Sequence, residues 1–279
     1  MEPTIKNLLK KYNIHPLKKL GQNFLIDENV LKKIIESTGL NSNDTVLEIG
    51  PGLGILTLEL AKRVKKVIAI EKDGILCQVL RDILKTQKVS NVEVINEDIL
   101  KTRYKIQDTR YKLVANLPYY ITSPVIRKFL EAEQKPKAMV LMVQKEVGQR
   151  IMAKPPHMNL LAISVQFYAE PEIITYVSKK SFCPAPKVDS AIIKIIPKQI
   201  PKIDTEKFFK LVKAGFSSKR KFLISNLSRE FPLKAGQPWA EKIKKEKLKT
   251  LLEELNINPK VRAENLSIDD WTKIYETIK

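Results

Sequence analysis

Cysteine and histidine are both scarce in this sequence. Its two cysteines, Cys77 and Cys183, lie 106 residues apart in a chain of 279 residues. That number and spacing fit neither a disulfide framework nor a zinc site. The two histidines, His15 and His157, match no catalytic or metal-binding pattern, so no metal is expected. These absences favour a cytosolic protein with reduced thiols.

Long apolar runs are also missing. The first twenty residues are basic and contain no apolar stretch of signal-peptide length. The longest apolar run elsewhere covers residues 138–143, whereas a membrane span needs ~20 residues. We also find no basic amphipathic helix with an aromatic face. The sequence therefore predicts a soluble, cytoplasmic protein that does not bind membranes.

Positive charge is in large excess. The chain carries 50 Lys and Arg against 31 Asp and Glu, which gives a net charge of +19. A protein that binds a polyanion gains affinity from such an excess, because each neutralised phosphate releases counterions. A generic solubility charge is the alternative, and nucleic acid is the favoured interpretation.

Short apolar runs alternate with helical patterns from about residue 44. Five runs predict strands at residues 45–49, 66–70, 92–96, 112–115 and 138–143, and helical spacing covers residues 55–64 and 76–84. Strand and helix in alternation predict a doubly wound α/β fold with a parallel sheet. Two further predicted strands, at residues 172–176 and 190–196, are expected to form an antiparallel edge.

The strand pattern stops at a proline-containing segment, residues 197–201 (PKQIP). After it, residues 206–227, 241–255 and 267–278 are predicted to be helical. Residues 197–279 carry 19 Lys and Arg against 11 Asp and Glu, so this tail is more basic per residue than the rest. We therefore predict a first domain at residues 1–196, a linker at 197–203 and a small helical domain at 204–279.

A glycine-rich turn, residues 48–54 (EIGPGLG), follows the first predicted strand. Glycines such as Gly50 and Gly52 let the backbone approach a ligand closely, and the next helix offers free N–H groups. Glu71 ends the second strand, where a carboxylate can accept hydrogen bonds from both ribose hydroxyls. A structural turn plus a surface glutamate is the alternative. Together they favour a nucleoside-containing cofactor, either a dinucleotide or S-adenosylmethionine.

The residues after two further strands distinguish S-adenosylmethionine from a dinucleotide. Asp98 follows the third strand, where a methyltransferase places an acid that reads the adenine amino group; a helix N-cap is the alternative. Asn116, Leu117, Pro118 and Tyr119 follow the fourth strand. The Asn116 side-chain oxygen and the Leu117 carbonyl can accept the two hydrogens of an adenine amino group, which orients its lone pair. Proline stiffens the loop, and Tyr119 can stack on the base.

The sequence resembles the small-subunit ribosomal RNA (adenine-N6,N6) dimethyltransferase family over nearly its whole length. Beyond the glycine turn, Glu71 and Asp98, the resemblance is carried by residues 20–25 (LGQNFL), 116–121 (NLPYYI), 144–147 (QKEV), 182–190 (FCPAPKVDS) and 262–267 (RAENLS). It departs from the family at residues 158–162 (MNLLA), where a Tyr-Gly-Arg-Leu type segment is usual, and at Cys183 and Ala185, where Thr and Pro are common.

The resemblance implies a Rossmann-like class I methyltransferase sheet followed by a small all-helical domain. It implies S-adenosylmethionine as the methyl donor and S-adenosylhomocysteine as the product. Cofactor contacts fall on Asn23, Leu25, Gly50, Gly52, Glu71, Asp98 and Asn116. Asn116 also faces the target amine, and Tyr119 and Phe182 match aromatic residues that stack on the base. By spacing alone, Phe182 would be an ordinary core residue.

The implied substrate is the small ribosomal subunit. The family methylates two adjacent adenosines near the 3′ end of its 16S rRNA, twice per base, during late assembly. The basic run containing Lys219, Arg220 and Lys221 is expected to contact rRNA phosphates, with a solvated helix face as the alternative. A monomer is expected.

Three rival functions stay open at this point. One is an antibiotic-resistance methyltransferase that modifies one adenosine of the large-subunit rRNA; Asn116, Leu117 and the RAENLS segment argue against it. Another is a non-catalytic RNA-binding assembly or transcription factor, which intact catalytic and cofactor motifs disfavour. The last is a nucleotide-dependent oxidoreductase, which the NLPY segment disfavours.

Overall fold

The structure, a computed structural model, describes residues 5–102, 108, 110–230 and 245–278. Its strands are β1 (Phe24–Leu25), β2 (Thr45–Ile49), β3 (Lys66–Glu71), β4 (Val92–Asn96), β5 (Lys112–Asn116), β6 (Met139–Gln144), β7 (Ala169–Val177), β8 (Phe182–Cys183) and β9 (Ser190–Pro197). Its α-helices are α1 (Ile5–Lys11), α2 (Glu28–Thr38), α3 (Ile55–Ala61), α4 (Gly74–Thr86), α5 (Thr122–Leu130), α6 (Lys145–Ile151), α7 (Leu160–Gln166), α8 (Thr205–Gly215), α9 (Leu223–Glu230), α10 (Lys245–Glu254) and α11 (Ile268–Ile278).

Seven of the strands form one sheet in the order β4-β3-β2-β5-β6-β9-β7. The first five are parallel to one another, and β9 pairs antiparallel with both β6 and β7. The predicted parallel strands and the antiparallel edge are thus confirmed. The strand order reverses between β2 and β5, and ligands of such sheets bind outside the carboxyl ends of the strands at that point.

Burial on both faces explains why the parallel strands are apolar runs rather than alternating patterns. All five residues of β2 are buried, and so are five of the six residues of β3. One core cluster packs α2 and α3 residues such as Ile34 and Leu60 against Val46 and Val114 of the sheet. This cluster therefore holds α2 and α3 against β2 and β5, the two strands that flank the switch point.

Side-chain caps set where two of the helices begin. The Asp27 carboxylate accepts hydrogen bonds from the backbone N–H groups of Asn29 and Val30 and so caps α2. Asp73 caps α4 in the same way, directly after β3. Asp73 begins α4 two residues after β3 ends at the carboxyl edge of the main sheet.

The predicted continuous helix over residues 206–227 is wrong, because the chain turns between α8 and α9. A Cβ on Gly215 would lie 2.3 Å from the Trp271 ring, so only glycine fits this close approach. The Asn226 side-chain amide donates to the carbonyls of Gly215 and Ser218 at 2.6 and 3.0 Å. These bonds satisfy backbone acceptors at the end of α8, so the helix stops there.

The other helical predictions were more accurate. α3 ends three residues before the predicted limit, and α4 extends the predicted helix at both ends. α11 confirms the helix over residues 267–278, with the Ser267 hydroxyl accepting from the Asp270 N–H at its start. α10 confirms the helix over residues 241–255 from residue 245 onward, and residues 241–244 lie outside the described part of the chain.

Backbone contacts divide the chain into two compact units, residues 1–149 with 168–198, and residues 150–167 with 199–279. The segment 150–167, which the sequence analysis includes in the first domain, belongs to the second unit. There the Phe167 and Phe208 rings stack at 4.6 Å, and the Met158 N–H donates to the Glu264 carbonyl. These units are defined by backbone contacts, whereas the predicted domains are defined by function, so the predicted domain limits stay a prediction. Within the described residues, every helix is too short or too polar to cross a bilayer.

Candidate active site

One cavity lies at the carboxyl edge of the sheet and collects residues from five separate segments. It is lined by the N-terminal segment and by the loops after β2, β3, β4 and β5. The lining includes all the residues expected to contact the cofactor, namely Asn23, Leu25, Gly50, Gly52, Glu71, Asp98 and Asn116, together with Leu117, Pro118 and Tyr119. The structure thus brings every predicted cofactor residue to one place.

The glycine turn after β2 forms one wall of this cavity. Gly52 has a φ of 57°, in the left-handed region that favours glycine, and a Cβ there would lie 3.1 Å from the Phe24 ring. Gly54, with a φ of 82°, begins α3, and a Cβ there would lie 2.4 Å from Leu80 Cδ1. Glycine is therefore required at both positions.

Glu71 forms the second wall and is held rigidly. It is buried, and its two carboxylate oxygens accept hydrogen bonds from the Gly52 N–H at 3.1 Å and the Asp73 N–H at 2.9 Å. Burial raises the pKa of Glu71, although these N–H donors oppose the shift. Each carboxylate oxygen has a further lone pair, so the side chain can also accept from a ligand hydroxyl.

Asp98 is held in an ion pair. Its carboxylate accepts from Lys72 Nζ at 3.0 Å and from the Leu100 N–H at 3.0 Å. Partial burial would raise the pKa of Asp98, but these two donors outweigh it and hold that pKa below its ordinary value. The carboxylate is therefore ionised at neutral pH and can accept a hydrogen bond. Asp98 begins a turn at residues 99–101 rather than a helix in the part that is described, and its adenine-reading role stays a prediction.

Asn116 ends β5 beside the glycine turn. Its Nδ2 donates to the backbone carbonyl of Asn23 at 3.1 Å. Because a carbonyl oxygen can only accept, this bond assigns the amide orientation and leaves Oδ1 as the acceptor atom. The Asn23 side chain donates in turn to the Gly21 carbonyl at 3.1 Å, which stiffens the N-terminal segment at this contact.

Tyr119 follows in a short 3-10 helix, Tyr119–Ile121. Its hydroxyl is hydrogen-bonded to Ser190 Oγ at 2.7 Å, which ties the loop after β5 to the start of β9. Burial, together with the nearby Asp189 carboxylate, raises the pKa of Tyr119, so the phenol stays neutral. The fixed hydroxyl holds the ring at the cavity wall.

The N-terminal segment is anchored by a small sheet that the sequence analysis missed. β1 and β8 pair antiparallel, with Phe24 opposite Cys183 and Leu25 opposite Phe182. The Ser181 hydroxyl also donates to the Asp27 carboxylate at 2.8 Å. Strands of two residues carry no periodic signal, and only the position of both segments in family motifs could have indicated the pairing.

Phe182 is not brought to the cavity. Its side chain is 3% exposed and packs in the core cluster with Leu25, Val177 and Ile192. That position agrees with the ordinary core residue that spacing alone predicts. The base-stacking role implied by the family resemblance stays a prediction.

A buried acid at the cavity was not predicted. Glu48, the first residue of the glycine motif, is 1% exposed, and its Oε2 has no hydrogen-bond partner among the described residues. Burial, with the Glu71 carboxylate adding to it, raises the pKa of Glu48 to about 8. The side chain is therefore mostly protonated at neutral pH. Its place inside an apolar strand was the only sequence signal.

The predicted RNA-binding residues lie in the second unit. Lys219, Arg220 and Lys221 are exposed in the turn between α8 and α9, so the solvated helix face considered above is not their setting. Among the described residues, no group of three His, Cys, Asp or Glu side chains could hold a metal ion.

The sheet order and the cavity at its switch point define a Rossmann-like methyltransferase. Two solved structures share this fold over nearly the whole chain. The chain is 30% identical to a dimethyladenosine transferase from Plasmodium falciparum, with a TM-score of 0.78, 91% of this chain and 96% of that chain covered. It is 26% identical to the 23S rRNA methyltransferase ErmE, with a TM-score of 0.72 and coverages of 92% and 99%.

Sequence comparison narrows the class. Residues 15–279 match the family described as ribosomal RNA adenine dimethylase. The chain is also 44% identical to the ribosomal RNA small subunit methyltransferase A of Dehalococcoides mccartyi (strain CBDB1), over 275 residues that cover 96% of this chain and 90% of the relative. The chain belongs to the ribosomal RNA adenine dimethylase family, whose members are methyltransferases.

Proposed function

We propose that the protein transfers methyl groups from S-adenosylmethionine to N6 of two adjacent adenosines near the 3′ end of 16S rRNA, twice per base. Small ribosomal subunits late in assembly would be the substrate, which places the reaction in the cytoplasm. The observation that carries the proposal is the convergence of Asn116, with its Oδ1 oriented as an acceptor, on the cavity that also holds Glu71 and Asp98.

The cavity walls fit a nucleoside sulfonium. Glu71, already oriented by two backbone donors, would accept the ribose hydroxyls, and the ionised Asp98 would accept from the adenine amino group. The glycine turn would lie against the amino-acid part, because Gly52 brings backbone close to the cavity and a Cβ there would meet the Phe24 ring at 3.1 Å. Asn23 and Leu25 would close over the ligand. The bound sulfonium supplies an electrophilic methyl group and leaves as the thioether S-adenosylhomocysteine.

The protein's catalytic contribution is orientation. The exocyclic nitrogen of adenine is a poor nucleophile, because its lone pair is delocalised into the ring. Asn116 Oδ1 and the Leu117 carbonyl would accept its two hydrogens and direct that lone pair at the methyl carbon. The proton released after transfer passes to solvent, so no general base is needed. The rate then depends on preorganised acceptors and alignment.

The protein must also bind the target base and the surrounding rRNA. Tyr119 would stack on it, since its ring is held by the hydroxyl bond to Ser190. A base in a single-stranded loop reaches such a pocket at little cost. Lys219, Arg220 and Lys221, exposed on the second unit, would contact rRNA phosphates. A monomer suffices for these roles.

A large-subunit substrate is the second candidate, because the fold matches ErmE with a TM-score of 0.72. The pair Asn116 and Leu117 and the RAENLS segment favour the small subunit, as does the 44% identity to a small-subunit methyltransferase.

The experiment is methyl incorporation from labelled S-adenosylmethionine with two acceptors side by side. One acceptor is small subunits from a strain that lacks the modification, and the other is protein-free large-subunit rRNA. Label recovered as N6,N6-dimethyladenosine only from small subunits supports the proposal. Label found only in large-subunit rRNA would identify the protein as an antibiotic-resistance methyltransferase. Label in neither acceptor would favour a non-catalytic RNA-binding protein.

A further inference from the structure

A basic and aromatic patch lies at the end of the antiparallel edge of the main sheet, outside the cavity. It consists of Lys145, Tyr176, Lys179, Lys180 and Lys187, and we name it the strand-edge patch. The Tyr176 side chain is 50% exposed, and Lys145 Nζ lies 5.0 Å from the centroid of its ring. Lys179, Lys180 and Lys187 are exposed. None of these residues is used in the methyl-transfer site described above.

The patch is joined to the catalytic loop through two consecutive residues. The Asp189 carbonyl accepts from the Lys145 N–H at 3.0 Å, and the Asp189 carboxylate accepts from the Lys179 N–H at 3.0 Å. The next residue, Ser190, holds the Tyr119 hydroxyl. The position of the patch is thus fixed relative to the ring that faces the target base.

The patch and the catalytic residues share one edge of the sheet. Asn116 ends β5, and β6, β9 and β7 follow in order across the sheet. Neighbouring strands are ~4.8 Å apart, so Tyr176 on β7 lies roughly three strand spacings, or about 14 Å, from the end of β5. Nucleotides next to a base held in the cavity would pass over this edge.

We propose that the strand-edge patch binds single-stranded rRNA beside the target adenosine, with Tyr176 stacking on a flanking base and the lysines contacting phosphates. This inference rests on the proposed function. An exposed aromatic ring among cations is the arrangement that binds single strands, because every base has a face for stacking and every nucleotide carries a phosphate. Two acids adjoin the patch residues in the chain or by a hydrogen bond, Glu146 after Lys145 and Asp189 against the Lys179 N–H, and the four lysines outnumber them.

The stacking part is tested with Tyr176→Ala and the matched Tyr176→Phe. Binding is measured by fluorescence anisotropy with a labelled fragment of the 16S rRNA 3′ end, and turnover is measured on small subunits. Tyr176→Ala should weaken fragment binding roughly tenfold and raise KM while leaving kcat unchanged. Tyr176→Phe, which keeps the ring, should behave like the wild type. Equal affinity of all three proteins would overturn the stacking role.

The phosphate contacts are tested with Lys179→Ala/Lys180→Ala against the control Lys33→Ala/Lys85→Ala, which removes two exposed helical lysines elsewhere. The patch variant should lower the slope of log Kd against log salt by about 1.4, and the control should not. If the patch variant bound the rRNA fragment normally but bound small subunits more weakly, the patch would contact a ribosomal protein rather than rRNA, and the proposal would be overturned. Methylation of small subunits by the wild-type protein tests the proposed methyltransferase function by itself. Failure of the patch proposal can therefore be distinguished from failure of the proposed function.

Discussion

The side-chain amide of Asn116 donates a hydrogen bond to the backbone carbonyl of Asn23, 93 residues earlier in the chain, at 3.1 Å. One bond thereby joins the end of β5 to the N-terminal segment and assigns the orientation of the amide. Nδ2 is used inside the protein, and Oδ1 is left to accept from the substrate. The segment expected to cover the cofactor and the residue expected to hold the target amine are therefore positioned together.

The glycine turn can be tested with Gly54→Ala and the control Gly39→Ala. Both glycines have positive φ, 82° and 54°, but a Cβ on Gly39 meets nothing within 4 Å, whereas one on Gly54 meets the buried Leu80. We expect Gly39→Ala to lower the free energy of unfolding by about 1 kcal/mol. Gly54→Ala should cost roughly 1–3 kcal/mol more. Urea denaturation measures both, and equal losses would contradict the close packing of the turn.

The raised pKa of Glu48 predicts that the stability of the protein depends on pH. This pKa is raised from 4.5 to about 8, so the folded protein keeps a proton that the unfolded chain releases. The stabilisation is complete below about pH 4.5 and is lost as pH rises to about 8. Glu48→Gln removes this titration. The variant should therefore gain stability relative to the wild type as pH rises from 5 to 8, on the order of 1 kcal/mol per pH unit.

The measurement for Glu48 is the free energy of unfolding of both proteins in urea at pH 5, 6, 7 and 8. Only the difference between the two proteins is informative, because other groups titrate in both. A difference that stays constant across this range would show that the Glu48 carboxyl is ionised in the folded protein.

Substitutions of Phe182 can show whether this residue packs in the core or stacks on the target base. Because its side chain is buried among Leu25, Val177 and Ile192, Phe182→Ala should lower the free energy of unfolding by about 3–5 kcal/mol. The milder Phe182→Leu should cost under about 1.5 kcal/mol and leave the KM for small subunits unchanged. Steady-state kinetics of Phe182→Leu decide the question. A raised KM in a protein of normal stability would restore the stacking role.

Tyr119 is expected to act through its ring. Tyr119→Phe loses the bond to Ser190 and should change kcat/KM only a few-fold, since a neutral hydrogen bond is worth about 1 kcal/mol. Tyr119→Ala loses the stacking surface and should lower kcat/KM by roughly 10- to 100-fold. Thermal melting of both variants checks that the fold is kept. If both lost the same activity, the hydroxyl rather than the ring would be the important group.

Much of the sheet could be predicted because its central strands β2, β3, β5 and β6 are mostly buried, which makes them apolar runs with clear ends. The strands that carry Gly50, Glu71, Asp98 and Asn116 were placed to within one residue. Since the carboxyl ends of parallel strands meet at one edge, the cavity followed from strand placement together with the family motifs. Long-range bonds such as Asn116 to Asn23 have no such local signal.

The errors have local causes. The end of α8 at Gly215 is set by the Asn226 side chain, which caps it, while the apolar periodicity of residues 206–227 continues across the break. The β1–β8 pairing involves strands of only two residues. Glu48 was overlooked because a charged residue in an apolar strand gives no indication of its protonation. In each case a tertiary contact decided what the local pattern could not.

If Asn116 orients the target amine, its removal must slow the chemical step itself, which the single-turnover rate of methyl transfer by Asn116→Ala measures. S-adenosylmethionine and enzyme are both in excess over the small subunits and well above their dissociation constants, so weaker binding does not enter the rate. We predict a fall of about 100-fold or more, with affinity for the 16S rRNA fragment unchanged. Methyl transfer at the wild-type rate would contradict the mechanism, because the acceptor assigned to the amine would then be dispensable.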